Sequence, residues 1–390
     1  MTETVQIEPV PSRKKLGWFN RTVLFFNWFF IVALLCSNFS PLVNPAKVWP
    51  MAFLGLMQPA LMLVSLAFLI YWMIRRKRQG FYTLIALLIS MIHFSKQYQV
   101  SFGSPDPAPD SAFRLMTWNV KLFDLYNWSG NKETRSRMYD LIKAEDPDVL
   151  CLQEFYSEDT GIFCNLDSLR AHMNYAHSSH AYTITLRKTD HWGVATFSRY
   201  PIAGEGKIVF NNRSNNICLY SDLVIGSDTV RVYNMHLQSI NFGYSDIRFV
   251  QTMLSEEEAE DEMENSRNIL RRMKRAYGRR AEQANAIAKH IAECPYPVLI
   301  CGDFNDTPVS YTYRVLSDGM KDAFRESGSG FGKTFENPLP IPRIDYIFHS
   351  EMLSSWEFRT IETTGMSDHY PLCCKISAQE AVPNAQCAVL

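Results

Sequence analysis

The stretch PVLICGDFNDTP, residues 297–308, carries an apolar run into Gly302 and then into Asp303, Asn305 and Asp306. Side chains alternate along a strand, so Asp303 and Asn305 project from one side if the strand persists through them. A carboxylate and an amide delivered together at the end of a buried strand, with Gly302 leaving room for close approach, suit the holding of a water and a phosphate oxygen. The same residues also suit a plain strand-end turn in which Asp and Asn cap the next element.

Other predicted strand ends raise the same question. TWNV places Asn119 at one, VLCLQE places Glu154 at another, and YNMHL places His236 at a third; RIDYIF holds Asp345, and GMSDHYPL supplies adjacent Asp368 and His369. A carboxylate closing a buried strand fits a hard cation such as Mg²⁺, usually held by one or two carboxylates plus water and substrate phosphate. An ordinary exposed glutamate is the plainer reading of Glu154, and a satisfied core histidine that of His236. Asp345 is costly to bury unpaired, and a histidine partner would offset the cost. In-line attack on a phosphodiester needs such a set: a metal to neutralise developing charge, a positioned water, and cationic or hydrogen-bonding groups on the equatorial oxygens.

The elements that must position these residues read as an α/β domain from about 112 to 377. FRLMTWNV, DVLCLQE, GVATFSR, ICLYSDLVI, TVRVYNMHL, PVLICGDF, RIDYIFHS and YPLCCKI predict strands in large sheets. Residues 255–291 depart from this pattern with an acidic run, a series of arginines, and Ala284, Ile287, Ala288 and Ile291 at helical spacing. They predict a long helix with its last turns on a sheet and the rest solvated. Its basic part would alternatively serve as a docking face for anionic substrate or lipid headgroups. SFGSPDPAPD, 101–110, is a linker, because its prolines cannot sustain a helix.

The chain has 390 residues, 47% of them hydrophobic, and a net charge of −1, which gives no support to a dedicated basic nucleic-acid binder. The first hundred residues differ in kind. Apolar runs at 22–39 and 48–74 are long enough for a bilayer, which takes about 20 helical residues, and 81–94 is a shorter third. Arg13, Lys14, Lys15 and Arg21 precede the first run, and Arg75, Arg76, Lys77 and Arg78 lie between the second and third. Both clusters are expected in the cytoplasm, which sends the third run outward and makes the remainder exoplasmic, periplasmic in a Gram-negative cell. If the third run does not span, the remainder is cytoplasmic. A cleaved signal peptide is not expected. Of nine cysteines, Cys36 lies in a membrane segment and Cys151, Cys301, Cys373 and Cys374 in strand-like runs, with no CxxC spacing, so they are expected mostly unpaired.

In the order TWNV, LQE, NMHL, GDFN, RIDYIF and SDH, residues 112–377 resemble the endonuclease/exonuclease/phosphatase superfamily, the deoxyribonuclease I-like fold. The resemblance implies a four-layer sandwich of two mixed β-sheets flanked by helices, here preceded by an N-terminal transmembrane helical region. It implies Glu154 as the principal Mg²⁺ or Mn²⁺ ligand with Asn119 and Asp368 beside it. Asp303 would orient or deprotonate the attacking water and Asn305 would hold a phosphate oxygen. His369, polarised by Asp345, would contact the scissile phosphate, and His236 a non-bridging oxygen or the leaving group. KLFDLYNWSG after TWNV departs from the glycine-containing segment of apurinic endonucleases and speaks against abasic-site repair.

The expected organisation is a basic cytoplasmic N-terminus (1–21), a membrane region of two to three helices (22–100), the linker (101–111), the catalytic domain (112–377) and a tail (378–390). The expected activity is a metal-dependent phosphodiesterase anchored in the inner membrane, nuclease-like first. A phospholipid or sphingolipid headgroup phosphodiesterase or a phosphoinositide phosphatase is the alternative, and an inactive tethered scaffold a lesser one. Its expected partners are the phosphodiester substrate and the membrane, with no specific protein partner.

Overall fold

The computed structural model of the chain describes residues 17–100, 107–210, 215–240, 262–336 and 343–378. Runs rich in β-branched and aromatic residues lie extended in two six-stranded sheets. The strands of the first are β1 (Phe113–Asn119), β2 (Val149–Glu158), β3 (His177–Leu186), β4 (Asp190–Ser198), β11 (Leu353–Thr360) and β12 (Leu372–Ala378), ordered β11-β12-β1-β2-β4-β3. The second holds β5 (Ile202–Val209), β6 (Ile217–Ile225), β7 (Asp228–His236), β8 (Val298–Asp303), β9 (Met320–Asp322) and β10 (Asp345–Ser350), ordered β5-β6-β7-β8-β10-β9. Each sheet has one parallel pair at its centre, β1 with β2 and β7 with β8, so both are mixed.

Alternation along these strands makes the layers. Leu115, Cys151, Val232, Leu299, Cys301, Ile347 and Cys374 point between the sheets and form their common core. Met116, Trp118, Leu150 and Leu152 point the other way, under Met138 and Ile142 of α5 (Thr134–Glu145) and Leu169 of α6 (Asn165–His172). On the far side, Tyr233, Met235 and Ile300 meet Ala284 and Ile287 of α7 (Glu262–Ala292) and Tyr313 and Leu316 of α8 (Tyr311–Leu316). This is the expected four-layer sandwich, and truncating one of its core aliphatics to alanine costs about 2–5 kcal/mol. Cys151, Cys301, Cys373 and Cys374 are buried thiols, and the eight cysteines among the described residues are all free.

The structure corrects one expectation and adds detail to another. The last turns of α7 pack on a sheet as read, but its middle is not solvated: Met273, Ala276 and Tyr277 are buried. Met273 and Tyr277 pack on N-terminal helices. Residues 255–261 of that segment lie outside the described residues. The apolar run 48–74 is not one straight helix but α2 (Trp49–Leu56) and α3 (Gln58–Ile74), bent by 59°. Pro59 causes the break, since it lacks an N–H and its ring would strike the carbonyl of Gly55 one turn back.

With α1 (Trp18–Ser37) and α4 (Gln79–Phe94), these helices form a bundle with inverted polarity. Trp18, Phe29, Leu63, Ile74 and Ile92 face outward. Polar groups meet inside: Thr83 donates to Asn27 at 3.0 Å, Asn38 to Ser90 at 3.0 Å and Gln58 to Asn38 at 3.0 Å. Interhelical hydrogen bonds under an apolar exterior are the arrangement a lipid solvent selects. Trp18–Leu42 forms a 25-residue segment long and apolar enough to cross a membrane, whereas α4 has 16 residues.

Candidate active site

Parallel pairing brings the carboxyl ends of β1 and β2, and of β7 and β8, to one edge of the sandwich. In register, Asn119 stands opposite Gln153 and His236 opposite Asp303, while β10 enters antiparallel with Asp345 opposite Asp303. Gly302 sits at φ 128°, and a Cβ there would lie 2.1 Å from the Met235 carbonyl oxygen. The close approach it permits is therefore that of β7 to β8, which sets His236 beside Asp303.

The strand stops at Asp303, so alternation is not what joins Asp303 to Asn305. Asn305 turns into the left-handed region at φ 53°. Its backbone N–H donates to Asp303 Oδ1 at 2.8 Å, an Asx-type turn, and its side-chain amide donates to Asp303 Oδ2 at 3.0 Å and to the Leu237 carbonyl at 3.0 Å. Both amide hydrogens are thus committed, and in this arrangement Asn305 holds Asp303 rather than presenting donors to a phosphate.

His369 lies between two carboxylates. Its Nδ1 is 2.9 Å from Asp345 Oδ2 and its Nε2 is 3.7 Å from Asp303 Oδ2. Burial pushes the imidazole pKa down, but Asp345 and Asp303 outweigh it and hold His369 protonated up to about 10. Asp303 is itself displaced upward, by burial first, with His369 and His236 opposing. The loop is fixed to β1: Trp118 Nε1 donates to the His369 carbonyl at 2.9 Å and Ser367 Oγ to the Asn119 carbonyl at 2.8 Å. Asp303, Asp345 and His369 have ligand atoms close enough to hold a cation, yet an imidazolium between the two carboxylates already offsets part of that buried charge.

Of the predicted oxygen ligands, Glu154 and Asp368 lie nearer the surface and Asn119 is buried. Asn119 Nδ2 donates to Glu154 Oε1 at 3.2 Å and to Asp303 Oδ2 at 3.1 Å, tying the two carboxylates together. His236 Nε2 is 3.7 Å from both Glu154 Oε1 and Asp303 Oδ2 and has no hydrogen-bond partner although buried. Asp368 is paired with Lys121 at 3.0 Å. Glu154 and His236 open into a cleft of about 400 Å³ whose other walls include Leu122, Trp192, Asn216, Gln238 and Arg279.

Backbone strain gathers at this edge. Lys121, Leu122, Phe123 and Asp124 form a left-handed turn with φ of 45–58°, and Glu154 lies at φ 47°. Such conformations cost L-residues about 1–2 kcal/mol each. The surroundings hold them in place, with Phe123 fully buried among Met138, Phe155 and neighbours and Asp124 accepting from the Ser129 hydroxyl at 2.5 Å. Sequence reading missed Lys121, Trp192, Gln238 and Arg279. KLFDLYNWSG was noticed only as a departure from a known pattern, and Arg279 was one arginine among many in a charged helix.

The family profile described as Endonuclease/Exonuclease/phosphatase family matches residues 116–369, a span containing all eight predicted site residues. The chain belongs to this family. A member of the endonuclease/exonuclease/phosphatase family is a phosphoester hydrolase, and the two mixed sheets and their shared edge belong to that chemistry. A second profile, described only as a domain of unknown function, matches residues 20–97, the four-helix region. Among solved structures, an endonuclease/exonuclease/phosphatase from Beutenbergia cavernae is similar at 20% identity and TM-score 0.49, over 68% of this chain and 72% of that one. One from Bacteroides vulgatus has 17% identity and TM-score 0.49, over 69% and 99%. The human Nocturnin catalytic domain with bound sulfate has 18% and 0.48, over 69% and 95%. No curated protein matches the chain.

Proposed function

We propose that this protein is a divalent-metal-dependent phosphodiesterase held in a membrane by its N-terminal helices. The observation carrying this reading is the convergence of Asn119, Glu154, His236, Asp303, Asp345 and His369 at one strand edge. Glu154, bonded to Asn119, fits Mg²⁺ or Mn²⁺, with Asp368 assigned as a further oxygen ligand: its donors are oxygens, it opens to the cleft, and the buried His236 Nε2 next to it lacks a partner. When bound, the metal supplies charge neutralisation on the phosphoryl oxygens. Asp303 accepts a proton from the water that attacks phosphorus, and Asn119 and Asn305 fix its orientation. His369, kept cationic by Asp345, stabilises the negative charge at the reacting phosphate. His236 meets a non-bridging or leaving oxygen from the cleft side.

Nucleic acid is the first substrate class. Tyr126 and Trp128, 61% and 50% exposed, lie edge to face in the loop that follows the left-handed turn, with Lys121 over the Trp128 ring. Exposed aromatics with a cation beside a phosphodiester site suit base stacking. A lipid headgroup is the second reading, favoured by Ile240: next to Ser239 of the cleft wall, it shares a cluster with Ala52, Phe53 and Leu56 of the N-terminal region, so the apolar bundle comes within one residue of that wall.

The bundle supports an orientation. Tyr71 donates to Asn20 at 2.6 Å, which brings Arg21 near the Arg75–Arg78 turn, whereas Asn38 meets Gln58 and His93 at the end nearer the sheets. Basic residues at one end and the sheets at the other support a multi-pass anchor with an exoplasmic catalytic domain, periplasmic in a Gram-negative cell.

The test is hydrolysis by the full chain with Mg²⁺ or Mn²⁺ across single-stranded DNA, duplex DNA, RNA, phosphoinositide and sphingomyelin vesicles, with Asp303→Asn as control. Turnover of nucleic acid that the control lacks supports the first class, and turnover of lipid alone the second. Silence on every substrate, with no Mn²⁺ bound, returns the inactive scaffold.

A further inference from the structure

Three contacts of different kinds join the N-terminal helices to the segment 303–310, the turn that carries Asp303 and Asn305. The first is steric. A Cβ on Gly55 would fall 2.5 Å from the Val309 carbonyl oxygen and 2.3 Å from Ser40 Oγ, so the α2 backbone lies directly against the turn. The second runs through α7. Tyr277 packs with Ala52, Phe53 and Leu56, and the guanidinium of Arg280 stacks 4.7 Å over the Tyr277 ring. The fully buried Arg280 then donates to the carbonyl of Asn305 and lies 3.5 Å from Asp306 Oδ2. The third runs through Arg343, also buried, which donates to the Lys96 carbonyl just past α4 at 2.7 Å and clasps Asp322 with both arms. Its strand neighbour Tyr346 bonds the carbonyls of Arg343 and Asp306.

A left-handed turn at Asn305 is held by its surroundings rather than by its own preference. Asp303, Leu237 and Arg280 make its immediate surroundings, and the bundle bears on them directly at Val309 and indirectly through Tyr277 and Arg280. Arg280 is not among the residues lining the cleft, and its contacts with the turn are to the Asn305 carbonyl and Asp306, so it acts on Asp303 through the turn rather than by touching it. We propose that the N-terminal bundle is a component of the hydrolytic site as well as an anchor. Docked on segment 303–310, it sets the position of Asp303, with Arg280 as the positioning residue that transmits the contact. The proposal rests on the reading of Asp303 and Asn305 as members of the hydrolytic site.

The experiment compares wild type, Gly55→Ala and Arg280→Lys as full chains in nanodiscs, with lipid-facing Leu63→Ala as control. Hydrogen–deuterium exchange is followed in peptides covering 303–310 and 149–158, and kcat and KM are measured on whichever phosphodiester the wild type hydrolyses. Gly55→Ala improves helix propensity yet is expected to speed exchange at 303–310 about fivefold, with 149–158 unchanged. A displacement of the turn then lowers kcat roughly ten- to a hundredfold, with KM nearly unchanged. Arg280→Lys keeps a donor for Asn305 and is expected to fall between wild type and Gly55→Ala in both readouts. Wild-type exchange and wild-type kcat in both variants would overturn the proposal. A wild type inactive on every substrate would instead sink the functional reading, with exchange still deciding whether the bundle positions the turn.

Discussion

Asp345 stands directly across the β8–β10 ladder from Asp303, two buried carboxyl groups on adjacent strands. Like charges placed so destabilise a sheet. His369 resolves the conflict by lying against both, so the imidazolium is at once a structural counter-ion and a candidate for the chemistry.

This relationship makes stability depend on pH. The folded His369 pKa of about 10 lies above its ordinary value of 6.5, so its contribution is complete below about 6.5 and is lost as pH rises through about 10. Chemical denaturation from pH 6 to 10 is expected to show a falling unfolding free energy. Asp345→Asn should flatten that fall, lower the His369 pKa seen by NMR and reduce kcat about 10²–10⁴-fold. An unchanged pH slope in the variant would remove His369 from this role.

Metal binding should centre on Glu154. Titration with Mn²⁺ followed by electron paramagnetic resonance is expected to show binding weakened roughly a hundredfold by Glu154→Gln and much less by Asp345→Asn. Equal loss in both variants would instead place the cation in the buried Asp303, Asp345 and His369 group.

The two substrate classes separate at Trp128. Trp128→Ala should weaken single-stranded DNA binding by about 1–3 kcal/mol, the usual worth of one stacked base. The readout is fluorescence anisotropy of a labelled oligonucleotide held by catalytically inert Asp303→Asn protein. Unaltered DNA affinity, together with turnover of vesicle lipid, would transfer the assignment to the headgroup reading.

Sidedness is accessible by labelling. A cysteine at Ile162, 79% exposed on the catalytic domain, should react with a membrane-impermeant maleimide on intact spheroplasts, while one at Arg76 should react only after permeabilisation. The reverse pattern would place the catalytic domain in the cytoplasm.

All eight strands legible in the sequence are interior strands of the two sheets, and the four that were not legible, β3, β5, β9 and β11, are the edges. An edge strand is half exposed and carries polar residues: HSSHAYTITL in β3 and IAGEGKIV in β5 lack the continuous apolar character of LICG or VLCL. Asn119, Glu154, His236, Asp303 and Asp345 were legible as candidates for the same reason, each being a polar group in or at the end of a buried run, whereas Asn305, Asp368 and His369 stood out as polar residues of short loops. What could not be read was how they meet. Asn305 reaches Asp303 through a left-handed turn rather than strand alternation, and Lys121 and Arg279 arrive from a strained turn and a helix whose sequences resemble any exposed charged segment. The burial of the middle of α7 was hidden because its cover, α2, lies more than two hundred residues away in the chain.

Gly55 and Val309 touch, yet roughly 250 residues separate them, which at about 5–20 residues per second is some tens of seconds of translation. The helices that form the seat are therefore synthesised long before the turn that rests on them, and the catalytic domain completes its last layer against a partner surface already in place. A chain made without that surface would present Tyr277, Met273 and Ile240 to water and leave Arg343 without its Lys96 acceptor. Maturation of the hydrolase fold therefore waits on helices that the chain has already made.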